Sequence, residues 1–184
     1  MRKIRLILEY EGTAYHGWQC QIREITLQQV IEKALRKIAR EKIPIVAASR
    51  TDSGVHALGQ VVHFSTKSGL PLRAFREGLN TLLPKDIAVR EAQEVPSKFH
   101  ARRDAKRKLY QYRIWNAPFP SPLLRNFAWH VFPPLNIDLM NQASAFIVGK
   151  RDFSSFRSAG CASSHARREV FKARWSRQGG EVFF

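Results

Sequence analysis

The sequence predicts an α+β protein in two halves, residues 1–104 and 105–184, the first a ferredoxin-like unit and the second an α+β unit begun but left incomplete. Three observations predict it. Up to residue 95 the apolar periodicity runs strand, helix, strand, strand, helix, strand, the order of a split βαβ unit. Beyond residue 105 a second series starts as strand, strand, helix, strand, and the remaining helix and strands are expected to be missing. At 184 residues and 44% hydrophobic content, the chain can bury a real core and is too apolar to be disordered.

Residues 2–10 alternate and cluster branched apolar side chains, which reads as the first strand. The loop after it, Glu11-Gly12-Thr13-Ala14-Tyr15-His16-Gly17-Trp18-Gln19, carries two glycines and two large aromatics. Tyr15 and Trp18 have two readings here, stacking on bases or stapling the loop to the core. Thr26 followed by Gln29 is the signature of a capping box. Leu27, Val30, Ile31, Ala34, Leu35 and Ile38 then recur at helical spacing. Glu32, Lys33, Arg36, Lys37 and Arg40 form the solvated face.

Apolar residues 43–48 and the Val-rich run Gln60-Val61-Val62-His63-Phe64 are the next two strands. Pro71 opens a helix over residues 72–82 and Pro84 closes it. Residues 87–95 form a further strand.

In the second half, residues 109–115 read as an aromatic strand with Tyr110, Tyr112 and Ile114 on one side. Prolines 118, 120 and 122 mark an irregular connection. Residues 127–132 are expected to be a short strand and 136–148 a helix capped by Asn136. Residues 152–168 read as a polar loop and 170–175 as a strand. Gln178-Gly179-Gly180 reads as a hairpin turn.

The charge narrows the partner. Thirty-one Lys and Arg against 15 Asp and Glu leave a net +16, which points to a polyanion, nucleic acid before anionic membrane. No apolar run is long enough for a transmembrane helix, and the N-terminus has neither the apolar region nor the cleavage site of a signal peptide. A soluble, cytoplasmic protein is expected. Cys20 and Cys161 stand far apart and show no metal-ligand spacing, so no metal is expected. Arg102, Arg103, Lys106, Arg107 and Lys108 place five cations in seven residues, opposed only by Asp104.

The chemistry concentrates at residues 49–64. Between two strand-like runs lies a polar turn holding Arg50, Asp52 and Gly54. It reads either as a tight turn, since Asp and Gly favour turns on backbone grounds alone, or as a carboxylate at the mouth of a sheet with Arg50 keeping it ionised.

Ser49-Arg50-Thr51-Asp52-Ser53-Gly54-Val55-His56-Ala57 resembles the hallmark Gly-Arg-Thr-Asp-Ala-Gly-Val-His-Ala of the tRNA pseudouridine synthase A family. Further landmarks follow in family order: Tyr10-Glu11-Gly12, Gly17-Trp18-Gln19, Thr26-Leu27-Gln28, Asn80, Leu83-Pro84, Phe99-His100-Ala101-Arg102, Tyr110-Gln111-Tyr112 and Asp152-Phe153-Ser154-Ser155-Phe156-Arg157. The resemblance implies an enzyme that isomerises uridine to pseudouridine in the anticodon stem-loop of tRNA, without cofactor or metal. It also implies a homodimer of two ferredoxin-like halves that share an extended antiparallel sheet, with the RNA cleft between them.

Detaching uracil from ribose without a cofactor needs a nucleophile or base beside the sugar, and a carboxylate of ordinary pKa can serve. Asp52 matches the family's catalytic aspartate, acting at the anomeric carbon or on the 2′ proton. Arg50 matches the residue that flips and positions the base, which removes it from its first reading as partner to Asp52. Tyr110 matches the tyrosine that stacks on the target uracil. His56 and His63 are expected to be structural. Arg102, Lys106, Arg107, Lys108, Arg157, Arg167 and Arg168 are the candidate phosphate contacts.

Two departures stand out. Ser49 replaces the family's glycine. The family also continues past the position of Phe184 into a Phe-Leu-x-x-Met-Val-Arg-like segment, whose arginine is expected to pair with the aspartate. The chain is therefore expected to be a fragment or a short form, either an active synthase or a tRNA-binding module of the same fold.

Overall fold

The computed structural model describes residues 1–157 and 165–184; Cys161 and the middle of the polar stretch at 152–168 lie outside them. The chain is a mixed α+β protein that divides into two units, Met1–Lys108 and Leu109–Phe184, against the boundary at 104/105 expected from sequence.

In the first unit, β1 (Arg2–Tyr10), β2 (Val46–Ala47), β3 (Ala57–Thr66) and β4 (Ile87–Val95) form one antiparallel sheet in the order β2-β3-β1-β4. The period of two on β1 puts Ile4, Leu6, Leu8 and Tyr10 on the buried face, each 3% exposed or less. Register places Ile4 opposite Phe64 and Leu6 opposite Val62, so the two central strands bury one continuous apolar stripe.

Helix α1 (Leu27–Ala39) covers that stripe with Leu27, Ile31, Ala34 and Leu35. Its start is fixed as expected: Gln29 Oε1 accepts from the Thr26 N–H (3.2 Å) and from the Thr26 hydroxyl (3.0 Å). Arg40 ends it in the left-handed region at φ 55°.

The helix expected over 72–82 forms: residues 72–73 are α-helical, Ala74–Gly78 widens into a π-turn, and α2 (Leu79–Leu82) completes it. The wider turn buries Phe75 against Phe64 at 5.5 Å while keeping Leu79 in the core. Leu83, held extended (ψ 149°) ahead of Pro84, stops it. Asn80 then clasps β4, donating to the Val89 carbonyl at 3.0 Å and accepting from its N–H at 2.7 Å.

The second unit has a smaller sheet, β6-β5-β10-β9, built from β5 (Arg113–Trp115), β6 (Trp129–His130), β9 (Ser176–Gln178) and β10 (Glu181–Phe183). The β5–β6 pair is parallel and the others antiparallel. Helix α3 (Ile137–Ala145) starts at the expected cap, where Asn136 Oδ1 accepts from the Leu139 N–H at 3.1 Å. Gly179 (φ 59°) and Gly180 turn the β9–β10 hairpin.

Two expected strands and one expected loop differ in the structure. Residues 109–112 are not strand; only Tyr112 extends the pairing, through reciprocal backbone bonds to Phe184 (3.1 and 2.9 Å). The polar stretch at 152–168 is not wholly loop, because β7 (Gly149–Asp152) pairs with β8 (Arg167–Val170) and sets Asp152 opposite Arg167. Residues 171–175 are not strand. There the Asn141 side chain takes both backbone groups of Trp175, accepting from its N–H at 2.8 Å and donating to its carbonyl at 3.1 Å, and Ser144 Oγ takes its indole N–H. A residue bonded to a helix in this way has nothing left to give a ladder.

Candidate active site

Residues 49–56 link β2 to β3 and lie against the loop that joins β1 to α1. Their geometry is fixed largely through backbone. The Trp18 N–H donates to the Thr51 carbonyl at 2.9 Å, the Gly54 N–H and the Ser53 hydroxyl each reach the Tyr15 carbonyl at 3.3 Å, and the Gly12 N–H donates to His56 Nδ1 at 3.0 Å. The Val55 N–H closes the turn on the Asp52 carbonyl at 3.2 Å, and Gly54 supplies the positive φ of 78°.

Two glycines permit this approach. A Cβ on Gly12 would stand 2.0 Å from the Val55 carbonyl oxygen, and one on Gly17 would stand 2.8 Å from the Thr51 carbonyl oxygen. Side chains at either position would push the loops apart.

The two readings of Tyr15 and Trp18 now separate. Both are buried, at 4% and 2% exposure. Tyr15 donates to Asp86 Oδ1 at 2.7 Å and the Trp18 ring tilts against Tyr10 at 6.1 Å. Burial first, then the adjacent Asp86, pushes the Tyr15 phenol well above its usual range, so it stays a donor. They staple the loop and are not stacking surfaces.

Asp52 and Arg50 are both exposed on this braced loop. The ion pairs of the first unit join Arg2 to Glu94, Arg5 to Glu91, Arg90 to Glu9, and Glu77 to Arg73 and Arg76, and His16 Nδ1 lies 3.1 Å from a Glu24 carboxylate oxygen; among the described residues none of these contacts involves Asp52 or Arg50. Thr51, between them, turns its hydroxyl inward to Tyr10 OH at 2.9 Å. Strict alternation of environment along Arg50-Thr51-Asp52 thus gives one anchor and two presented side chains.

The basic segment is held from its start. The Ala101 N–H donates to His63 Nδ1 at 3.2 Å, the His63 ring packs against His100 (5.0 Å) and edge-on to Phe99 (5.8 Å), and Lys3 donates to the Ser97 and Phe99 carbonyls. Burial, then the neighbouring His100 and Lys3 charges, lowers the His63 pKa to about 4, so its ring is a neutral acceptor. Asp104, the one acidic residue of the segment, is spent on the turn by accepting the His100 N–H at 2.9 Å. Arg102, Lys106, Arg107 and Lys108 are exposed beyond it. Lys108 Nζ reaches Ser49 Oγ at 3.3 Å, using the hydroxyl that stands where the family hallmark has glycine.

The remaining candidates lie in the second unit. Tyr110 is 65% exposed, two residues before Tyr112, whose pairing with Phe184 is reinforced by Trp175 stacked on Phe184 at 4.5 Å. Arg157, Arg167 and Arg168 are exposed. The Ser154 hydroxyl and N–H, then Arg167 and Arg157, hold the Asp152 carboxyl below its usual range. Lys150, Arg151, Arg167 and Arg168 ring a shallow depression there with Asp152 and Glu169. No set of three His, Cys, Asp or Glu side chains among the described residues is placed to hold a metal.

Two contributors were missed by the sequence reading, Tyr10 and Gln60. The available signal was a polar residue in phase with Val62 and Phe64: Gln60 occupies the buried face of β3.

The chain is matched over residues 6–104 by a family model described as tRNA pseudouridine synthase. Three relatives, each named tRNA pseudouridine synthase A, extend the likeness. The protein of Citrifermentans bemidjiense is 50% identical over 171 residues, covering 93% of this chain and 68% of the relative. That of Geotalea daltonii is 47% identical over 182 residues (99% and 75%), and that of Acetivibrio thermocellus 46% over 184 residues (100% and 75%). With the Asp52 loop, its two glycine contacts and these matches together, the chain belongs to the tRNA pseudouridine synthase family.

Proposed function

We propose that this protein isomerises uridine to pseudouridine in the anticodon arm of tRNA, with Asp52 acting at the ribose. The observation that carries the reading is a carboxylate presented to solvent on a loop whose backbone is fixed from both sides. Such a group is oriented before substrate arrives, which is where positional catalysis gains most.

In the reaction the C1′–N1 bond breaks, the base turns over, and a C1′–C5 bond forms. The C5 proton leaves and N1 gains one, so the product is an isomer and no redox partner is required. Asp52 either attacks C1′ or removes the 2′ proton. Arg50, exposed two residues earlier, holds the flipped nucleotide. Tyr110 offers an exposed phenol ring to stack on the uracil and to assist loss of the C5 proton. Arg102, Lys106, Arg107 and Lys108, with Arg157, Arg167 and Arg168, take phosphates. The same reading makes the protein a cytoplasmic homodimer of two ferredoxin-like halves; the β2-β3-β1-β4 order of the first unit supports that description for its half.

The test is pseudouridine mapping on total tRNA incubated with the protein and with Asp52→Asn. Wild type should modify anticodon-arm uridines, and Asp52→Asn should abolish the product while tRNA affinity stays within about twofold. Wild-type turnover by Asp52→Asn would remove Asp52 from the mechanism. Tight tRNA binding by the wild type with no product would identify the protein as a binding module.

A further inference from the structure

We propose that Tyr10 and Gln60 are positioning residues that set the geometry of the Arg50-Thr51-Asp52 segment from beneath; this rests on the catalytic reading of Asp52. The two side chains come from adjacent strands, β1 and β3, and are 3% and 6% exposed. They grip the loop on both sides of Arg50. Gln60 Nε2 donates to the Ser49 carbonyl at 2.7 Å, and Tyr10 OH meets Thr51 Oγ1 at 2.9 Å. The second Gln60 N–H faces Tyr10 OH at 3.5 Å.

Donor accounting gives the chain a direction. An amide has two N–H donors, and here one goes to Ser49 and one toward Tyr10. The phenol, accepting from Gln60, directs its own proton to Thr51. Burial raises the Tyr10 pKa, so that proton is retained. A break in strand pairing brings Tyr10 to this place. Leu8 lies opposite Gln60, yet Tyr10 lies opposite Ala57 and not residue 58, so β3 carries one extra residue directly beneath the loop. Bulges re-aim side chains in this way beside functional sites.

None of these four groups touches substrate in the proposed reaction. Their effect is that Arg50 and Asp52 leave the backbone from two pinned neighbours, Ser49 and Thr51. Losing a pin should therefore cost turnover more than substrate binding.

The experiment compares wild type, Tyr10→Phe, Thr51→Val, the double variant and Thr51→Ser. Two readouts are used: the rate of pseudouridine formation in tRNA, and backbone amide exchange. Tyr10→Phe keeps the ring against Trp18 and removes only the hydroxyl, so folding is preserved. It should lower kcat about tenfold with KM within twofold. Thr51→Val should match it, the double variant should be no worse than either single one, and Thr51→Ser should restore the rate. Independently of turnover, the Trp18 amide that donates to Thr51 should exchange about tenfold faster in Tyr10→Phe, with the Leu6 and Leu8 amides unchanged.

Multiplying losses in the double variant, or an unchanged Trp18 exchange rate, would overturn the assignment. An Asp52→Asn control separates the two ideas. If that control is inactive and Tyr10→Phe is fully active, only the positioning role fails. If Asp52→Asn turns over normally, the catalytic reading fails first.

Discussion

Replacing Gly17 by alanine should unfold the first unit far more readily than replacing Gly54, although both glycines have nearly the same backbone conformation. Gly17 has φ +81° and Gly54 φ +78°. Each substitution therefore carries the left-handed penalty of an L-residue, about 1–2 kcal/mol. Their surroundings differ. A Cβ at 54 meets nothing within 4 Å. One at 17 stands 2.8 Å from the Thr51 carbonyl oxygen and 3.2 Å from both the Asp52 carbonyl carbon and the Ser53 nitrogen. All three are backbone atoms of the candidate catalytic loop, so no flexible side chain can swing aside. Overpacking of this kind costs about 1–3 kcal/mol. The totals are roughly 1–2 kcal/mol for Gly54→Ala and about 2–5 kcal/mol for Gly17→Ala. Denaturant unfolding followed by far-UV circular dichroism reads the difference as a shift in midpoint at constant slope. Gly17→Ala should also lose turnover in the protein that remains folded, because relief of the overlap displaces Asp52. Equal destabilisation by the two variants would refute the close approach on which the site's geometry depends.

Two further outcomes follow. The affinity of the protein for tRNA should fall with added salt at a log–log slope of about −0.7 per single-strand phosphate contacted, and each of Arg102→Ala and Lys106→Ala should make that slope shallower by about one contact; salt-insensitive binding would contradict their assignment to phosphate. Stability should fall as pH drops from about 6.5 to about 4, because in that window the unfolded chain binds a proton at His63 and the folded one, whose pKa is about 4, does not. At ~1.36 kcal/mol per unit this amounts to roughly 3 kcal/mol, measured as the difference in pH slope between wild type and His63→Gln; parallel slopes would show that the ring protonates freely in the folded protein.

What was legible in the sequence, and what was not, follows from where each element's backbone finds its partners. Strand β1 and helix α1 were readable because their determinants are local: alternation from Ile4 to Tyr10, and Thr26 reaching only as far as Gln29. The second helix was placed correctly but not its π-turn, since that turn answers to Phe64, on another strand. The second unit defeated the reading more often. Apolar residues near Trp175 look like strand, yet Asn141, thirty-four positions earlier, captures both its backbone groups. Propensity carries no information about such a partner.

The candidate site shows the same division. Asp52 stood out because Arg, Asp and Gly crowd a short turn between apolar runs, and its match to the family hallmark is what proposes a catalytic role for it. What makes the turn a rigid one was hidden in residues that looked generic. Gly12 and Gly17 read as loop punctuation, Tyr15 and Trp18 as equally good for stacking or stapling, and Gln60 as one polar residue in a strand. Gly12, Gly17, Tyr15 and Trp18 each act on the loop through a contact more than thirty positions distant in sequence, and Gln60 through one eleven positions away. The loop is held chiefly by backbone hydrogen bonds and by glycines too small to keep two chains apart, and an exposed ion pair contributes little by comparison. A carboxylate needed at one fixed point beside a sugar is better served by that construction than by a charged neighbour, because the brace keeps its geometry before RNA arrives and leaves both Asp52 and Arg50 exposed for it.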